Sequence, residues 1–192
     1  QTEQNTLYFT DFSLTSDEGV QLNGEKIEAW TDLNTGMSFE TADGYSQPVY
    51  KDGAVTFGQN DLLKCSPEYR GAQTMFAVVR SDNLNTEQSF IYNAIRQDST
   101  AITEETVIQS NKITGFIPSN DYFVFAVRKS VENGKILLSS WVNESKETAN
   151  VECSDFGDIT SICGGGFSLK NLTVYCRAMT DIEIYAKIKE LK

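Results

Sequence analysis

Apolar residues in this chain come in short runs broken by turn-forming residues. That pattern predicts many strands and one helix. Leu7–Phe12 alternates weakly and predicts a first strand, and Val55–Phe57 a short one closed by Gly58, Asn60 and Asp61. Thr74–Arg80 (TMFAVVR) and Tyr122–Arg128 (YFVFAVR) are apolar at nearly every position, so both faces must be covered and both strands must sit centrally. Ser89–Ile95 predicts a further strand. In Lys135–Val142, Ile136, Leu138 and Val142 fall on one face, and Leu137, Ser139 and Trp141 on the other. In Leu169–Arg177, Leu172, Val174 and Cys176 oppose Thr173, Tyr175 and Arg177.

The period changes from two to 3.6 only at the end of the chain. Thr180 and Glu183 form the capping-box pattern, in which each side chain satisfies the other's free backbone N–H. Asp181 adds negative charge at the positive end of that helix. Ile184, Ile188 and Leu191 then recur on one face, to pack on the edge of the sheets, and Lys187, Lys189 and Lys192 suit the C-terminal end. Loops rich in Asn, Asp, Ser, Thr and Gly separate the strands, and no repeat or Pro-rich linker is present. Eight or more short strands with one terminal helix predict an all-β sandwich or jelly roll rather than a βαβ fold.

The 192 residues fit one domain spanning 1–192, and 40% hydrophobic residues suffice for a core. No apolar run is long enough to span a bilayer as a helix. No signal peptide is visible; because the chain opens at Gln1 rather than Met, that does not indicate the cytoplasm. Sixteen basic against 27 acidic residues give a net charge of -11, which repels phosphate backbones and anionic membranes. Histidine is absent, which removes Ser-His-Asp and Cys-His catalysis and His-ligated zinc. Cys65, Cys153, Cys163 and Cys176 show no CxxC spacing. Cys153 and Cys163 flank a short loop and could pair, but four cysteines allow three pairings and the spacing does not choose among them.

Three stretches carry a family resemblance. Val20–Leu63 holds Trp30-Thr31-Asp32, then Pro48, then Ala54-Val55-Thr56-Phe57-Gly58 and Asp61-Leu62. Thr74–Arg80 follows as an apolar strand ending in a base. Gly164–Gly166, Leu172–Ala178 and Thr180–Leu191 close the pattern, with Tyr175, Arg177, Ala178, Met179, Thr180, Asp181 and Glu183 in matching places. In this order the chain resembles the concanavalin A-like lectin/glucanase superfamily in its laminin-G-like branch. The resemblance implies a concanavalin A-like β-sandwich (jelly roll) with one short C-terminal α-helix, and Trp30 in its core. Two features depart from the family pattern. Glu144 stands where the Asn143 hairpin usually has glycine, leaving the turn type open, and the stretch from Gly166 to Leu172 is short enough to suggest a trimmed strand or loop.

The superfamily hosts lectins, hydrolases, lyases and spacers, so function must come from a site. Its glucanases carry an E-x-D-x-x-E strand that puts acid and nucleophile on one side of a sugar. No such cluster is present: Glu104-Glu105 would face opposite ways, Glu152, Asp155 and Asp158 have the wrong spacing, and Asp181 and Glu183 belong to the capping box. Acidic loop residues (Asp82-Asn83, Asn93 with Asp98, Asn120-Asp121, Asp155 with Asp158) have no cation-specific spacing and read as turn formers; no cofactor is implied beyond at most one structural calcium ion.

Glycan binding needs an aromatic platform and planar polar groups. Trp141 shares its strand face with Ser139, a polar side that would expose the ring; the alternative is that it covers the edge of the core. Tyr92, Asn93 and Arg96 come from one strand end, and Tyr45 and Tyr50 flank Gln47-Pro48 in a loop. The expected ligand site is therefore Trp141, Tyr92, Asn93 and Arg96. The sequons at Asn143 and Asn171 decide nothing without a known source.

These readings converge on a non-catalytic carbohydrate-binding or adhesion domain of a bacterial surface protein or a phage or viral fibre. It would be extracellular, at a cell surface or on a virion, with a glycan or cell-surface polysaccharide as partner, and oligomeric in a fibre. Nucleic acid and membrane insertion are not expected. The competing readings are a structural or protein-interaction module without a sugar site, and a divergent glycoside hydrolase.

Overall fold

A computed structural model describes residues 7–8, 10–81, 89–93, 98–101, 121–151, 158–163 and 166–192. Among them the chain forms sixteen strands and one helix. The strands are β1 (Leu7–Tyr8), β2 (Phe12–Thr15), β3 (Val20–Asn23), β4 (Lys26–Thr31), β5 (Ser38–Thr41), β6 (Val49–Lys51), β7 (Ala54–Phe57) and β8 (Leu62–Arg70). They continue with β9 (Thr74–Ser81), β10 (Ser89–Asn93), β11 (Asp98–Ala101), β12 (Phe123–Glu132), β13 (Lys135–Val142), β14 (Ser145–Val151), β15 (Asp158–Cys163) and β16 (Phe167–Tyr175). The helix α1 is Asp181–Leu191.

Hydrogen bonding runs in the order β11-β10-β15-β8-β5-β4-β6-β7-β16-β9-β12-β13-β14, with β1 beside β8, β2 beside β16 and β3 beside β4. All pairings are antiparallel except β1 with β8 and an isolated bridge between Ser46 and Asp61. The long ribbon doubles back, so that β4, β5, β8 and β15 lie over β16, β9, β12 and β13. Contacts across the gap prove the two layers: Phe12 of β2 packs on Phe39 of β5 (ring centroids 6.0 Å) and edge-on against Tyr69 of β8 (5.1 Å). The predicted all-β sandwich with one C-terminal helix is the fold the chain adopts.

Strict alternation builds the core. Met75, Ala77 and Val79 of β9, Phe123, Phe125 and Val127 of β12, and Leu172 and Val174 of β16 point between the layers. They meet Ile27, Trp30, Phe39, Leu63 and Tyr69 from the other side. The alternate residues of β9 and β12, Phe76, Val78, Val124 and Ala126, point outward and are covered by Met179, Ile184 and Ile188 of the α1 region. That is why both strands are apolar on both faces. The capping box is present: Thr180 Oγ1 accepts from the Glu183 backbone N–H, and the Glu183 carboxylate accepts from the Thr180 N–H at 2.8 Å.

One expectation is corrected, and the structure fills in two points the sequence left open. The stretch Leu7–Phe12 is not one strand: β1 joins β8 and β2 joins β16, so the chain passes from one layer to the other between Tyr8 and Phe12. The stretch after Gly166 forms one nine-residue strand, Phe167–Tyr175, with a bulge between Leu169 and Asn171. The hairpin at Asn143-Glu144 turns without glycine because Asn143 itself takes φ 51°. The asparagine tolerates that conformation, and it is anchored twice: its N–H donates to Val124 O (2.8 Å), and its side-chain oxygen accepts from Val124 N–H (3.1 Å).

The Trp30-Thr31-Asp32 motif also has a local role. The Trp30 indole is fully buried and donates to Thr15 O at 2.8 Å. Asp32, 3% exposed, accepts from Ser13 N–H, Asn34 N–H and the Thr35 hydroxyl, at 3.1, 2.9 and 2.9 Å. Opposite them Gly19, at φ +71°, lies so close that a Cβ would meet Thr31 O at 1.9 Å. Only glycine fits there.

Candidate functional site

The outer face of the layer carrying β7, β16, β9 and β12 has two parts. One lies under α1. There Trp141 of β13 is enclosed by Phe76, Ala126, Met179, Ile184 and Ile188, with no exposed surface. The sequence placed Trp141 correctly on the Ser139 face, but that face is roofed by the helix. The expectation that the indole stands open to a sugar is therefore corrected in favour of burial. Arg128 and Lys146 lie over the same ring, 5.1 and 5.3 Å from its centroid. Both reach the Asp181 carboxylate, and Arg128 also donates to Met179 O at 2.8 Å. Burial opposes the charge on Asp181, but Lys146 and Arg128 outweigh it and hold the carboxyl below its usual range. Glu183 is held at about 2, chiefly by Arg177, which grips it with two donors at 2.9 and 2.8 Å, and then by the Thr180 N–H. These two carboxylates hold the helix in place, as the capping-box reading expected.

The second part lies beyond the far end of α1, where Thr56, Arg80 and Tyr122 are half-buried, Lys170 is exposed and Ser168 is fully buried. Phe76, Val78 and Arg80 share one face of β9 by period two. Phe123 pairs with Val79, so Tyr122 stands beside Arg80 one position further on. On the other flank Ser168 of β16 pairs with Arg80, and Thr56 of β7 pairs with Ser168. Thr56, Ser168, Arg80 and Tyr122 thus form one row across four neighbouring strands. The Thr56 and Ser168 hydroxyls are 2.9 Å apart, and Arg80 reaches Ser168 Oγ at 3.5 Å. The bulge at Lys170 swings an exposed ammonium over the Tyr122 ring, 4.2 Å from its centroid, while the Arg80 guanidinium lies 5.3 Å away. Tyr122 packs its inner side against the apolar cluster beneath α1, which fixes the ring.

This row brings together a half-buried aromatic ring, two cations and the half-buried Thr56 hydroxyl, with the buried Ser168 hydroxyl bonded to both Thr56 and Arg80. It is suited to non-covalent recognition of a polar ligand with one apolar face. The sequence named none of these residues as a site. Arg80 and Tyr122 were visible as the ends of TMFAVVR and YFVFAVR, but their proximity depends on the register between those strands.

Among the remaining expected residues, Tyr92 and Asn93 lie on β10, with side chains outside the described residues, as is Arg96. The acidic pairs considered for calcium or catalysis, and Cys153 with Cys163, also fall wholly or partly outside them. Cys65 is buried in the core and Cys176 is half-buried. Tyr45 is 52% exposed on its turn, whereas Tyr50 packs on the core. Among the described residues no three Cys, Asp or Glu side chains converge as a metal site. No described helix is long and apolar enough to cross a membrane.

No protein-family model matches the chain, and no curated protein matches it. Among solved structures it is similar to the Ruminococcus gnavus IT-sialidase CBM40 bound to alpha2,3 sialyllactose. That likeness has a TM-score of 0.45 and 14% identity, over 62% of this chain and 83% of that one. A likeness of that degree decides nothing about function.

Proposed function

We propose that this chain is a non-catalytic carbohydrate-binding domain, displayed outside the cell or on a virion, and a divergent member of the concanavalin A-like superfamily. The observation that carries the proposal is the Tyr122 ring, held rigidly at the end of the Thr56–Ser168–Arg80 row. Lys170 and Arg80 lie over that ring, so a sugar would meet their donors with its hydroxyls and the remaining margin of the ring with its C–H groups. Thr56, Ser168 and Arg80 lie on strands and Tyr122 directly precedes β12, so little order is lost on binding. A non-catalytic role is supported by the state of Asp181 and Glu183, whose oxygens are committed to Arg128, Lys146, Arg177 and Thr180.

A glycan-array screen of the full chain, with and without calcium, tests this. The expected result is binding that is lost in Tyr122→Leu, which keeps apolar bulk but removes the flat ring. A blank array in both conditions refutes the reading and leaves a structural or protein-docking module.

A further inference from the structure

We infer that Asn133, in the turn between β12 and β13, is a site of spontaneous modification, losing its amide to give aspartate and isoaspartate, while the fold holds back the second Asn-Gly pair, Asn23-Gly24. Asn133 and Gly134 take φ 52° and 75° and form a two-residue turn closed by the Glu132–Lys135 pair. Both are exposed, and Val131 beside them is 68% exposed, so the tip carries little packing and opens at small cost. The Asn133 carboxamide and the Gly134 N–H make no hydrogen bond to any described residue. A Cβ built on Gly134 would meet nothing within 4 Å, and glycine rotates freely about its own backbone bonds. The Gly134 nitrogen can therefore swing onto the side chain before it.

The reaction needs only water. Gly134 N gives up its proton and attacks Asn133 Cγ. The N–Cγ bond forms, the Cγ–Nδ2 bond breaks, and Nδ2 departs with that proton as ammonia. Water then opens the five-membered imide at either carbonyl, breaking one of its C–N bonds and giving aspartate or isoaspartate. Either product adds a carboxylate beside Glu132. Isoaspartate also lengthens the backbone of a turn whose length sets the β12–β13 register. Asn23-Gly24 has the same chemistry in a different setting. Asn23 ends β3 in register with Lys26, and its Nδ2, the leaving group, donates to Glu28 Oε1 at 3.2 Å. That bond must break before the ring can close.

The test is peptide mapping by mass spectrometry of the full chain aged in mildly alkaline buffer, folded and in urea. In urea the two pairs should convert at similar rates. In the folded chain Asn133 should convert, with isoaspartate confirmed by enzymatic methylation of its carboxylate. Asn23 should convert about tenfold more slowly, the retardation that one hydrogen bond to a charged group supplies. Glu28→Ala should abolish that lag and leave the Asn133 rate unchanged. No conversion at Asn133 in the folded chain, while the unfolded chain converts, overturns the site. Equal rates at the two pairs in the folded chain, or a lag that survives Glu28→Ala, overturns the protection of Asn23. A lag of the same size in urea assigns the difference to local sequence and overturns the role of the fold.

Discussion

Replacing Trp141 by alanine separates a core tryptophan from a ligand platform. The ring is fully buried between β9, β12 and α1. Truncating such a side chain costs about 3–5 kcal/mol. Two cation–π contacts go with it, each worth about 0.5–2 kcal/mol where partly desolvated. One term acts in the opposite direction, because the Trp141 N–H has no acceptor among the described residues, so its loss removes a buried orphan donor. The net expectation is a loss of about 4 kcal/mol, which lowers the melting temperature by roughly 8–16 °C in a chain of this size. Urea unfolding followed by far-UV circular dichroism measures it, at temperatures where Trp141→Ala is still folded. Trp141→Phe keeps a ring in place and removes the orphan N–H, so it should cost half as much or less. Glycan affinity of the folded fraction should be unchanged. A stability change within about 0.5 kcal/mol, the range of surface substitutions, would refute the burial argument.

Two further predictions concern charges held by the fold. Asp181 and Glu183 both have folded pKa values below their unfolded ones, so the stability they add is present above about pH 5 and is lost as pH falls through the folded values, for Glu183 about 2. Acid titration should therefore loosen α1 before the β-sheet signal changes, and Asp181→Asn should flatten that part of the profile; an identical acid profile in the variant would contradict the assignment. Asp32→Ala leaves three donors without their acceptor and should cost about 2–3 kcal/mol in urea unfolding, and a near-zero effect would remove Asp32 from its structural role.

What the sequence revealed depended on range. The capping box at Thr180 and Glu183 needs only neighbours, and it reads directly. The apolar runs at β9 and β12 declared two covered faces, which the core and α1 supply. Alternation also assigned Trp141 to the right face, but what roofs a face is a long-range fact, and α1 follows β13 by some forty residues. The site was hidden for the same reason. Arg80 and Tyr122 become neighbours only through the register of β9 with β12, and Lys170 joins them only through a bulge. The crossing between β1 and β2 shows no break in hydrophobicity, because either layer accepts the same alternating pattern.

The position of β16 governs how the chain can be made. This strand, which follows all the other described strands in sequence, sits between β7 and β9 and also receives β2. Until Tyr175 has left the ribosome, β2 and β7 have no partner on that side and β9 is an unprotected edge. An emerging chain therefore cannot close its sandwich piece by piece. Closing the sandwich must wait for Phe167–Tyr175 and proceed through contacts distant along the chain, which makes it slow and leaves apolar strand edges exposed to aggregation during synthesis.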